Sequence, residues 1–84
     1  MSNVFRFESE RGAYILSGPE GDDGFRIVVP ADMVEDEAGA GLTEGQRLEW
    51  LHANLAGILS AYTARTRGGH VKEPWNRVLV EEIE

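Results

Sequence analysis

TEGQRLEWLHANLAGILSAYTARTRGG, residues 43–69, contains the start, the stop and the buried face of one long helix, and the rest of the chain is placed by it. Thr43-Glu44-Gly45-Gln46 fits a capping box. In that motif the Thr43 hydroxyl accepts from the Gln46 amide, and the Gln46 side chain accepts in turn from the Thr43 N–H. Glu44 complements the positive end of the helix. Gly68-Gly69 marks the stop, where a left-handed residue is needed and glycine adopts it without a Cβ clash. Arg65 and Arg67 fall in the last turn, beside unpaired carbonyls. Leu48, Leu51, Leu55, Ile58, Leu59 and Tyr62 recur at three- and four-residue steps, which predicts a core-facing stripe.

The other side of this helix carries small residues. Trp50, Ala53, Gly57, Ser60, Ala61 and Ala64 lie there, with Ala53, Gly57 and Ala61 in one row at four-residue steps. Glycine inside a helix costs about 1 kcal/mol relative to alanine, so Gly57 invites a reason. One reading is close approach of a second helix from another copy of the chain, with Trp50 as its anchor. The other is alanine serving as a helix former on a wet surface, with Gly57 tolerated.

Eighty-four residues make a single domain, 1–84, with one modest core. An apolar content of 42% with two Trp and three Phe points to a folded globule. The absence of cysteine excludes disulfides and thiolate chemistry. No apolar run approaches the roughly 18 residues of a membrane span, and the first residues lack the basic-then-apolar order of a signal peptide. A cytoplasmic protein without membrane contact is expected. The net charge of −7 disfavours nucleic acid as a partner. The acids concentrate before Glu49, whereas Arg65, Arg67, Lys72 and Arg77 make a local basic segment, best read as a helix terminus and its loop.

Outward from the helix, Val4-Phe5-Arg6-Phe7 alternates as strands do, and Ala13-Tyr14-Ile15-Leu16 is rich in strand formers, with a turn between them over Glu8–Gly12. Gly18-Pro19-Glu20-Gly21-Asp22-Asp23-Gly24 is a strong turn signal, followed by a strand with Phe25, Ile27 and Val29 inward. Pro30 ends that strand, and a short helix is expected near 31–37. Asn76–Ile83 closes the chain as a strand whose Val78-Leu79-Val80 is apolar on both faces. The fold class is therefore α+β: a small antiparallel sheet of three to four strands, with the long helix of about 43–67 packed on one face. Tyr14 or Leu16, Val28 and Leu79 are expected to make the other face partly apolar, a second candidate interface.

The block Phe25–Ile83 resembles the small bacterial domain of unknown function numbered 1488. The shared layout is a hairpin, the extended segment and short acidic helix Val29-Pro30-Ala31-Asp32-Met33-Val34-Glu35-Asp36, a variable connector, a long helix and a closing strand. The resemblance implies a bacterial source and a fold, and carries over no activity and no functional residue.

Chemistry-bearing patterns are sparse. Glu49 and His52 form one Glu-x-x-His step, whereas a di-iron site needs two such steps and two further helical glutamates. His70 reads as a solvated loop histidine. There is no Gly-x-Ser-x-Gly elbow, and the Gly18–Gly24 loop lacks both the Gly-Lys-Ser/Thr ending of a phosphate loop and the acid spacing of a calcium loop. Neither a metal nor a cofactor is expected, and catalysis is disfavoured because no acid–base or nucleophile set converges. The expected function is a protein-interaction or homo-oligomeric module, with Trp50, Ala53, Gly57 and Ala61 as the interaction-face candidates. The alternative is a small-ligand module with a pocket between sheet and helix near His52, Tyr62 and Trp75.

Overall fold

A computed structural model describes residues 5–19 and 24–83. Strands β1 (Arg6–Glu8), β2 (Ala13–Ser17), β3 (Phe25–Pro30) and β4 (Leu79–Glu82) form one antiparallel sheet in the order β1-β2-β3-β4. Between β3 and β4 the chain crosses one face of the sheet as three helices, α1 (Ala31–Ala38), α2 (Glu44–Ala53) and α3 (Leu55–Arg67). The α+β architecture expected from the sequence is the one adopted. No helix among the described residues is long and apolar enough to cross a membrane.

The register assigns the two faces. Tyr14 pairs with Val29, Leu16 with Ile27, and Ile27 with Val80. These side chains point to the helices and meet Met33, Val34, Leu51, Ile58, Ala61 and Tyr62 in one core. Successive residues alternate sides, so Ala13, Ile15 and Val28 form a separate small cluster on the outer face. The expectation that Tyr14 or Leu16 lines the outer face is thus corrected, since both sit on the helical side. Val28 and Leu79 do stand on the outer face, paired with each other.

Turn chemistry closes the β1–β2 hairpin as expected. The Arg11 N–H donates to the Glu8 carbonyl, and Gly12 takes a positive φ of 60°. At the β2–β3 connection the Gly18 N–H donates to the Phe25 carbonyl at 3.1 Å. The acidic part of the expected Gly18–Gly24 turn lies outside the described residues, as does Val4 of the first expected strand.

The capping box at the start of α2 is complete. Gln46 N donates to Thr43 Oγ1 at 3.2 Å, and Thr43 N donates to Gln46 Oε1 at 2.9 Å. The 43–67 span is helical, but it is two helices joined at Asn54 and not one. Asn54 takes φ −108°, ψ 18°, well off helical values. Its backbone N–H and its side-chain amide both donate to the Trp50 carbonyl, at 3.0 and 2.9 Å. The backbone bond is the ordinary i→i−4 bond of a helix, and the side-chain amide shares its acceptor, so the departure at Asn54 lies in its dihedral angles. The expected stripe faces the core on both sides of Asn54, but not uniformly. Leu51, Ile58 and Tyr62 are fully covered, while Leu48, Leu55 and Leu59 pack at the core margin. Ala61, expected on the far side, is buried. Gly68 ends α3 with φ 80°.

The closing strand starts later than expected. Trp75–Arg77 is a single 3-10 turn, Val78 is fully buried, and β4 spans only Leu79–Glu82. Arg65 anchors this return, donating from Nε to the Val78 carbonyl at 2.8 Å and from a terminal nitrogen to the Asn76 carbonyl at 2.7 Å. The Arg77–Asp36 ion pair at 2.6 Å ties the turn to α1, and the Arg47–Glu35 pair at 3.0 Å ties α2 to α1. The exposed Thr43 cap should be separable from the core: Thr43→Ala is expected to lower stability by about 0.5–2 kcal/mol in chemical denaturation with an unchanged m-value.

Candidate functional site

The small-residue side of the helices is divided by the Asn54 break. Ala53 belongs to α2 and is exposed, whereas Gly57 and Ala61 belong to α3 and are half-buried and buried. What approaches Gly57 is Trp75 of the same chain. A Cβ at position 57 would lie 2.5 Å from Trp75 Cζ2 and 2.7 Å from Nε1, closer than any real contact allows. The indole therefore rests directly on the helix backbone, and Trp50 packs beside it with ring centroids 6.0 Å apart and planes inclined by 36°. Trp50 is half-buried in this pair and packs against the core margin.

The three pocket candidates have different neighbours. His52 is exposed and meets the buried Phe5 edge-on, at 5.9 Å between centroids. Tyr62 is buried against Phe25 at 6.2 Å. Trp75 sits on Gly57 and lines a hollow of about 250 Å³ between α3 and the chain that follows it. Glu49 and His52 are both exposed on α2. No group of three or more His, Asp or Glu among the described residues is placed to hold a metal ion.

The outer sheet face has a construction that sequence spacing did not reveal. No helix among the described residues covers it, yet Ala13, Ile15 and Val28 are only 2–3% exposed. Glu81 of β4 stands across from Arg26 of β3 and accepts from its Nε at 2.9 Å. The same carboxylate accepts from both terminal nitrogens of Arg11, which comes from the β1–β2 turn. The Arg11–Glu81 bridge therefore crosses the two strands between its ends, above the apolar cluster. The aliphatic stems of such arginines cover apolar surface while their heads stay wet. The Arg11 hydrogen bonds, then those of Arg26, hold the Glu81 carboxyl down at about 2 against an opposing desolvation effect. A residue distance of seventy positions, Arg11 to Glu81, left no local signal for this contact.

The roof stops short of one end of the sheet. Leu79 continues the cross-strand row Arg6–Ile15–Val28–Leu79 and is 47% exposed. Ile83, two residues past Glu81 on the same side, is 38% exposed, and its N–H extends the ladder to the Gly24 carbonyl at 2.8 Å. Both belong to the β4 end of the sheet, an edge with no further strand beside it among the described residues.

On the helical side, Arg47 donates to Glu35 at 3.0 Å, and the neighbouring Tyr14, followed by Glu35, raises its pKa further above its ordinary value.

The chain matches no protein-family model, no curated protein and no solved structure.

Two outcomes check these contacts. Gly57→Ala should destabilise the protein by about 1–3 kcal/mol through overpacking against Trp75. In a Trp75→Ala background the same change should instead stabilise by up to about 1 kcal/mol, the ordinary helix-propensity gain, so a thermodynamic double-mutant cycle must reverse sign. For Glu81, the lowered folded-state pKa contributes stability that is complete above its ordinary 4.5 and is lost as pH falls from there towards about 2. Glu81→Gln should cost about 1 kcal/mol at neutral pH, and its deficit against the natural protein should vanish across that acid window in denaturant titrations.

Proposed function

We propose that this protein is a non-catalytic interaction module that pairs through β4 and the outer sheet face, most simply with a second copy of itself. The observation that carries this reading is the exposure of Leu79, at 47%, in a cross-strand row whose other apolar members are covered. Ile83 at 38% extends the same side past the paired Glu81. An apolar side chain left uncovered beside an open strand edge invites pairing, because strand addition satisfies the unpaired N–H and C=O groups as it buries apolar area. Glu81 presents no free charge there, since two arginines already engage it.

The other surface, Trp50, Ala53, Gly57 and Ala61, supports the reading less. Its glycine and its tryptophan are engaged by Trp75 within the chain. Ala53 is exposed without an apolar neighbour in that pair.

Sedimentation equilibrium over a wide concentration range decides the matter. The natural chain is expected to reach the mass of a dimer, and Leu79→Lys with Ile83→Lys is expected to return it to 9.3 kDa without lowering its melting temperature. A protomer mass at every concentration, or a dimer that survives both substitutions, would overturn the proposal.

A further inference from the structure

The hollow of about 250 Å³ beside Trp75 has an ordered polarity. Its depth is apolar: Ala61 is buried, and Gly57, Val71 and Trp75 are half-buried. Its mouth is polar, formed by the exposed Ser60, His70 and Lys72. No carboxylate lines it, in a chain with 15 acidic residues. Glu73, the acid next to Lys72, faces a different hollow with Glu37 and Arg77.

The cation at the mouth is uncommitted. Arg6, Arg11, Arg26, Arg47 and Arg77 each meet a carboxylate, and Arg65 is spent on two carbonyls, so that among the described residues Arg67, at the end of α3, and Lys72 are the cations without such a partner. Lys72 has no ion-pair or hydrogen-bond partner among the described residues, nor has His70. A concave apolar floor with a few convergent polar groups at its rim is the usual make-up of a small-molecule site. Its volume, below the roughly 300–1,000 Å³ of drug-sized pockets, limits the occupant to about one ring.

We propose that this hollow binds a small organic carboxylate with one flat ring or a short apolar body, its anionic end at Lys72, His70 and the Ser60 hydroxyl, and its apolar part on Ala61, Val71 and the Trp75 indole. Gly57 is part of the design: lacking a Cβ, it lets the indole settle on the helix and form one wall. The site lies on the helical side of the sheet, away from Leu79 and Ile83, and stands independently of pairing through β4.

The test is a titration with benzoate, and with benzamide as its neutral counterpart, followed by amide chemical shifts in the ¹⁵N-labelled protein. Benzoate should give saturable shifts at Gly57, Ser60, Ala61, Val71 and Lys72 and change the tryptophan emission, and benzamide should bind more weakly. Lys72→Gln should weaken benzoate about two- to fivefold, the worth of one exposed ion pair. Ser60→Phe, made at an exposed helix position, should fill the hollow and abolish the saturable shifts while the remaining spectrum stays folded. Non-saturating shifts scattered over basic residues elsewhere, equal binding of benzamide, or unchanged binding by the folded Ser60→Phe protein would each overturn the proposal.

Discussion

A four-stranded sheet with a single helical layer has to protect its second face without a second layer, and much of this structure follows from that constraint. Alternation along β2 and β3 sends Tyr14, Leu16, Ile27 and Val29 to the helices and leaves Ala13, Ile15 and Val28 on the far side. The far side is closed by charge: the Arg11–Glu81–Arg26 group crosses the strands above those three residues. Such a roof has two advantages over an apolar layer in so short a chain. It needs no additional element, and its outer surface remains compatible with water. It also has an edge, and Leu79 and Ile83 stand beyond it. The surface proposed for pairing is therefore where the roof ends.

The second constraint is the return from α3 to β4. The chain must come back across the helices to pair beside β3, and it does so by laying Trp75 on Gly57 while Arg65 holds the carbonyls of Asn76 and Val78. The indole fills the space that a helical side chain would have occupied. This gives Gly57 an intramolecular reason and accounts for Trp50 as the neighbour of Trp75. The same seating leaves the hollow under His70 and Lys72 open on one side. Packing of the return segment and the geometry of the hollow are thus consequences of one contact.

The strong local signals were legible in the chain. Thr43 and Gln46 form the reciprocal cap that their spacing implies, Gly68 ends α3 in the left-handed region, and the strand patterns around Ala13–Leu16 and Phe25–Val29 form the hairpin they describe. Asn54 was legible only in hindsight. A single asparagine off the buried stripe reads as a solvated helix residue unless its amide is known to reach the Trp50 carbonyl. Tyr14 and Leu16 were open to either face because Ala13–Leu16 is apolar on both sides, and periodicity cannot choose a face for such a run. The alanine-glycine row was visible too, although its occupant lay eighteen positions on, past a loop, where helical spacing has no reach.

By itself, then, the sequence determined the element types, the α+β class, and the capped start and glycine stop of the helical span. These are set by backbone propensity, capping and hydrophobic period, all of which act over a few residues. Only the tertiary structure decided that the helix breaks at Asn54, that Trp75 covers Gly57, that Arg11 and Glu81 roof the outer sheet, and that Lys72 stands unpaired above an apolar hollow. Each of those joins residues distant in the chain or depends on which of several nearby groups a side chain reaches. Such contacts are fixed by the register of the sheet and the path of the return to β4, and neither is written in any local stretch of residues.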